Sequence, residues 1–220
     1  FLQQLVNGIS LGSIYALIAL GYTMVYGIIN LINFAHDDIY MIGAYVGFAL
    51  TTFFHMGFVP ALLLSMLVCA ILGIIVEKVA YKPVRNSTRI AALITAISVS
   101  LFLEYGTMYF VKAETRTFPN VLPDVSIKLF NGVIINIRDL YIIAITILLM
   151  VVLQYIIHRT KVGKAMRAVS LDREAAQLMG VSVDKTISYT FAIGSSLAGA
   201  AGVLVGVYYN SIDPLMGMMP

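Results

Sequence analysis

Residues 30–45 read NLINFAHDDIYMIGAY, and Asn30, Asn33, His36, Asp37 and Asp38 crowd the opening of that stretch. Amides, an imidazole and carboxylates are the groups that bind a polar solute, relay protons or hold a cation. Here they interrupt apolar sequence that runs almost unbroken from Leu2 to Phe54. An aspartate near the centre of a membrane helix costs about 2.5 to 3.5 kcal/mol on insertion scales. Each therefore needs water, a partner or an exit to the surface, so the acidic pair marks either a loop between spans or the broken interior of a pathway. A metal centre is not expected. His36, Asp37 and Asp38 are consecutive, diverge by about 100° on a helix and cannot close on one ion, and a single His is a weak metal signal. Helix capping is the plainer use: Asp37 or Asp38 stands where a helix from Ile39 would begin, ready to accept from its exposed N–H groups.

The composition says what must position these groups. Of 220 residues, 60% are hydrophobic and 11% charged, against about 25% charged in a soluble domain. The chain is expected to be an all-α integral membrane protein, because long apolar runs favour helices over barrel strands. About six spans of about 20 residues fit, near residues 5–26, 38–54, 59–80, 90–111, 140–157 and 186–209. They form a single transmembrane domain over residues 1–220. The second is short and starts at the acids, as a broken or re-entrant helix would. With no Trp, the 13 Tyr must supply most of any interfacial belt. Cys69 is alone, which excludes a disulfide within the chain. The net charge of +3 reflects where loops lie and gives no reason to expect nucleic acid.

Sidedness follows from the basic residues, which gather at or beyond the span ends. Lys78, Lys82, Arg85 and Arg89 form one cluster; Arg159, Lys161, Lys164, Arg167, Arg173 and Lys185 form another. Both belong in the cytoplasm by the positive-inside rule. Residues 112–139 then face outside, and 158–185 form a cytoplasmic loop. Within the outer loop, two short strands over 126–130 and 133–137, joined at Asn131-Gly132, are expected as a β-hairpin. The side on which the N-terminus lies depends on whether the second span crosses fully, and the first loop has no Lys or Arg to decide it.

Two further features lie inside the spans. Glu104 lies within the fourth span, somewhat past its middle toward the outer side, either as a functional carboxylate or as a hydrogen-bonded structural one beside Tyr105 and Tyr109. Small residues recur every four positions at Gly194, Ala198, Gly202 and Gly206, at Gly8, Gly12 and Ala16, and at Gly43 and Gly47. Such ridges let helix backbones approach closely.

In the cytoplasmic loop, Asp172 is placed to N-cap a short helix and Gly180 to follow its end. Leu171, Ala175 and Leu178 share one side. A helix of about two turns is not stable alone in water, so it rests on the membrane surface or bundle, or docks a cytoplasmic partner. Glu174-Ala175-Ala176 with Gly180 is similar to the E-A-A-x-x-x-G core by which permease subunits of bacterial ABC importers engage their ATPases, although the downstream I-x-L-P element is missing. Residues 8–45 resemble the start of branched-chain amino acid permeases of the LivH type, including N-F-A-H-x-[DE], and EKVAYKPVR (77–85) mirrors that family's ERVAYRPVR-type sequence. The resemblance covers essentially the whole chain. The family usually has Gly where Asp37 stands.

The resemblance implies a multi-pass permease of the bacterial inner membrane, held in lipid, for ATP-driven uptake of leucine, isoleucine and valine. It implies a second homologous permease subunit, two cytoplasmic ATPases and a periplasmic binding protein as partners. It also implies about two further spans after Pro220, for about eight in all. Asn30, Asn33, His36 and Asp38 would border the translocation pathway. Asp172, Glu174, Ala175, Ala176 and Gly180 would couple the ATPases to the spans. No catalytic residues, metal or cofactor are expected in the chain itself, ATP being bound by the partner subunits. Gly163-Lys164 is no phosphate loop, because position 158 is His where a glycine is required. Related permeases for urea, short amides or other small polar metabolites remain alternatives. So do an ion-coupled secondary transporter using Asp37, Asp38, His36 and Glu104 as a relay, and a membrane scaffold that transports nothing.

Overall fold

The computed structural model describes residues 2–29, 32–85, 87–123, 126–128 and 134–218. Apolar runs free of interior proline become long helices: α1 (Leu2–Ile29), α2 (Ala35–Thr52), α3 (Phe58–Val76), α5 (Arg89–Val111), α6 (Ile137–Arg159) and α9 (Val183–Tyr209). Between α3 and α5, a π turn (Glu77–Tyr81) leads into the short α4 (Lys82–Val84). Pro83 has no N–H for the carbonyl one turn before it, which is where helices widen or kink. Residues 158–185, the loop expected in the cytoplasm, fold into α7 (Lys161–Leu171) and α8 (Arg173–Leu178). Among the described residues, five helices are long and apolar enough to cross a membrane: Gln3–Ile29, Phe58–Val84, Ile90–Val111, Ile137–Arg159 and Val183–Tyr209. The remaining expected span is α2, which begins at Ala35, before the acids, and has 18 residues.

Short strands tie the outer ends together. β1 (Arg116–Thr117) pairs antiparallel with β4 (Ser211–Ile212), and β2 (Ser126–Lys128) with β3 (Ile134–Asn136) in the register Ile127↔Ile135. The Asn131-Gly132 turn lies outside the described residues. After β4 the chain folds back, and a 3-10 turn (Met216–Met218) reaches the start of α2, where a Cβ on Gly217 would meet the Asp37 carbonyl at 2.8 Å.

α9 is the hub: 83% of its apolar window is buried, against 17% for α5 and for α6. Its small residues do this. A Cβ on Gly43 would stand 2.5 Å from Gly199 Cα, one on Gly47 would meet Val203, and one on Gly202 would meet the Tyr40 carbonyl. The Gly43–Gly199 and Gly47–Val203 contacts advance together, so α2 and α9 run parallel, with Gly202 at their close crossing. Gly21 and Gly194 are similarly opposed, each Cβ position lying about 3 Å from the other's carbonyl, and bring α1 onto α9. The α1 series does less than expected: Cβ atoms on Gly8 and Gly12 would meet nothing within 4 Å, so that ridge faces out from the bundle.

Candidate translocation site and cytoplasmic docking helix

The chain breaks helix only briefly between α1 and α2. Arg173 of α8 donates to the carbonyls of Ile28 (3.1 Å) and Ile29, so the end of α1 lies on the side of the cytoplasmic loop. α2 runs away from that side, parallel to α9, which puts the start of α1 on the opposite side of the bundle from residues 158–185. α2 nevertheless does not start at the surface. His36 is wedged against Gly21, which faces Gly194. Val183 to Gly194 spans about 16 Å of helix and Gly21 to Ile29 about 12 Å. The N-terminus of α2 therefore lies near the middle of a hydrocarbon core about 30 Å thick. This is a helix that begins inside the membrane, reached by a short non-helical approach. Irregular backbone at such depth is tolerated where protein buries it or a cavity adjoins it.

Asn33, in that approach, is 2% exposed; its Oδ1 accepts from the Tyr81 hydroxyl at 2.7 Å and its Nδ2 has no partner. His36 is fully buried and turned toward α1, with Tyr22 edge-on at 6.1 Å. Asp38, two positions on, takes the opposite face of the helix. It is 5% exposed, lies within hydrogen-bonding reach of Ser100 on α5, and has no partner on Oδ2. Glu104, 4% exposed, stands one turn beyond Ser100 and within electrostatic range of Asp38. Asn30 falls outside the described residues. The structure thus gathers Asn33 and Asp38 near Tyr81, Ser100 and Glu104, and sends His36 elsewhere.

The capping expected of Asp37 or Asp38 does not occur. The cap position is Phe34, with no side-chain cap hydrogen bond, and both acids lie inside the first turn. Their side chains have passed the exposed amides they were expected to serve. Asp37 is also in ordinary right-handed helix; it is absent from the residues with positive φ. The position therefore makes no demand that only glycine meets.

At the cytoplasmic end, α8 is fully capped. Asp172 Oδ1 accepts from the N–H groups of Glu174 (2.9 Å) and Ala175 (3.0 Å). Gly180 adopts φ +82°, the Gly180 N–H bonds the Gln177 carbonyl and the Val181 N–H bonds Ala176, the paired bonds of a Schellman end. Ala176 is buried beneath, while Leu171, Leu178 and Met179 are each more than 80% exposed. Glu174 and Ala175 are also exposed. Partial burial, and then Arg85 nearby, pull the Arg173 pKa down from its ordinary value. The α1 carbonyls it bonds are the electron-rich end of that helix, which favours the cation. Beside Arg173, Asp184 holds Lys82 and Arg85 at 2.9 and 2.8 Å.

Comparison with known proteins places this architecture. Residues 4–219 match the family model described as "Branched-chain amino acid transport system / permease component". The chain belongs to that family. It is 41% identical over its full length to the high-affinity branched-chain amino acid transport system permease protein BraD of Pseudomonas aeruginosa, covering 75% of that protein. The LivH permease of Escherichia coli gives the same identity and coverage. A probable LivH permease of the archaeon Methanocaldococcus jannaschii is 31% identical over 93% of this chain. No solved structure matches.

Three residues that touch these sites were not singled out by the sequence. Tyr81 is a partner of Asn33 48 residues away, a pairing that no local pattern announces. Ser100 could have been found, since it precedes Glu104 by one helical turn. Arg173 stands beside the E-A-A core, yet its role depends on where α1 ends.

Proposed function

We propose that this chain is one membrane-spanning permease subunit of an ATP-driven ABC importer for leucine, isoleucine and valine, multi-pass in the cytoplasmic membrane. The observation that carries the reading is family membership along essentially the whole chain, with 41% identity to branched-chain amino acid permeases. A second, homologous permease completes the pore, a binding protein delivers substrate from outside, and two ATPases dock below. ATP is bound and hydrolysed on those ATPases.

The pathway passes the start of α2, bordered by Asn33 and Asp38, with Asn30 on the approach. His36 seats α2 against α1 beside that path. Transmission begins at α8, where exposed Leu171, Leu178 and Met179 offer an apolar face and Glu174 a charge to a docking ATPase. Arg173 then links α8 to the last carbonyls of α1, immediately before the chain turns toward α2. ATPase closure that shifts α8 therefore pulls on the segment leading into the pathway, which is how alternating access would be driven. The test is leucine uptake into proteoliposomes holding the permeases and ATPases, with binding protein and ATP supplied. Uptake is expected to require all of these, and Glu174→Lys to abolish it while the chain remains in the membrane. Uptake driven by an ion gradient without ATPases would overturn the reading.

A further inference from the structure

α2 and α5 run side by side, and their outer halves leave between them a crevice of about 390 Å³, walled by Ile42, Tyr45 and Val46 from α2 and Leu103, Gly106 and Thr107 from α5. Asp38 precedes Ile42 by one helical turn, on the same face of α2. Ser100 and Glu104 continue the face of α5 that carries Leu103 and Thr107. Asp38, Ser100 and Glu104 therefore lie about one helical turn inward of the residues that wall the crevice, toward the bilayer midplane. Asp38 and Glu104 are 5% and 4% exposed and lie within electrostatic range of each other. No basic side chain answers them, because both ion pairs among the described residues fall on Asp184 at the cytoplasmic edge. Asp38 Oδ2 has no hydrogen-bond partner, and neither does the buried Tyr45 hydroxyl on the crevice wall.

Burying a carboxylate oxygen with neither a cation nor a hydrogen-bond donor beside it is costly. An apolar wall leading to an unanswered negative end fits a molecule with an aliphatic body and one cationic head. We propose that Asp38 and Glu104 bind the ammonium group of an aliphatic α-amino acid in transit, with its side chain in the α2–α5 crevice and its carboxylate turned toward the outer mouth. The orientation has a further cause. A bare helix N-terminus draws a carboxylate, but Asp37 and Asp38 in the first turn of α2 oppose that positive end. The inference rests on the importer reading and adds to it the group by which the substrate is recognised.

The experiment uses the complete transporter in proteoliposomes and two analogues of leucine: isopentylamine, which lacks the carboxylate, and isocaproate, which lacks the amine. Both are used at concentrations that leave leucine bound to the binding protein. Isopentylamine is expected to inhibit leucine uptake and isocaproate to have no effect. Asp38→Asn and Glu104→Gln, each purified as a monodisperse chain, are expected to lower uptake about tenfold or more, the loss of a charge-assisted contact. Inhibition by isocaproate equal to that by isopentylamine, or no inhibition by isopentylamine, overturns the proposal even if a variant fails to fold. Well-folded variants that keep more than half of wild-type uptake overturn it too. If the wild-type assembly takes up no leucine with ATP, the importer reading falls first, and this site falls with it.

Discussion

Two helices of this chain begin beside aspartate, and they use it in opposite ways. α8 is a six-residue helix at the cytoplasmic surface, and Asp172 stands just before it, accepting from two of its free amides. α2 begins in the middle of the bundle, carries Asp37 and Asp38 inside its first turn, and has no side-chain cap at all. The exposed helix needs its cap because it has little else, only Ala176 being buried beneath it. The buried helix needs none, because α9 holds it along its length. One oxygen of Asp38, Oδ2, is left unpartnered by folding, and burying such an atom is costly. The same residue type is thus structural at one helix start and available for substrate chemistry at the other.

The sharpest way to break this contrast is to unseat α2 from α9. Gly202→Val would drive a side chain into the Tyr40 carbonyl and the Ala44 amide, backbone atoms that cannot rotate away. Overpacking usually costs about 1 to 3 kcal/mol, and rigid neighbours place this substitution at or above the upper end. The expected outcome is loss of monodisperse protein in detergent. A melting temperature equal to wild type would mean that α2 is held by something other than α9.

A smaller effect is expected at the approach to α2. Tyr81→Phe removes the donor to Asn33 Oδ1 and leaves a buried acceptor unpaired, at a cost of about 1 to 3 kcal/mol. Thermal melting of the solubilised chain should fall measurably, and uptake with it. At α8, Asp172→Ala should cost about 1 kcal/mol of local stability. It should speed hydrogen exchange at the Glu174 and Ala175 amides and weaken ATP-driven uptake, with the global melting temperature unchanged because α8 lies at the periphery. An altered melting temperature would make α8 part of the core.

The least effect is expected from Asp37→Gly. The position is right-handed helix, so glycine relieves no strain and should cost no more than about 1 kcal/mol of helix stability. Melting temperature and leucine uptake should both stay near wild type. A clear stabilisation would show that the native backbone at 37 prefers the left-handed region after all.

Much of the fold is legible in the order of the residues alone. Apolar length fixes helices that must satisfy their own backbone in lipid, and the two basic clusters decide which loops face the cytoplasm. Asp172 and Gly180 can be assigned their places around α8 because caps are local: donor and acceptor lie within three or four residues. The acids of α2 mislead for the same reason. Aspartate ahead of an apolar run is a capping signal wherever it occurs, and only α9 packing shows that α2 starts several residues earlier. The glycine series shows this limit as well: the ridges of α2 and α9 are in contact, while Gly8 and Gly12 carry the same spacing and meet nothing.

By itself, then, the sequence determined a helical membrane protein, its sidedness at the basic loops, a capped cytoplasmic helix and its kinship with permeases. All of these depend on composition or on residues near one another in the chain. The depth at which α2 begins, the pairing of Asn33 with Tyr81 and the meeting of Asp38 with Ser100 and Glu104 were decided only by tertiary structure. Each depends on the register in which helices distant in sequence slide against α9. That register is set by how closely backbones approach at Gly43, Gly199 and Gly202, a steric quantity summed over several helices at once.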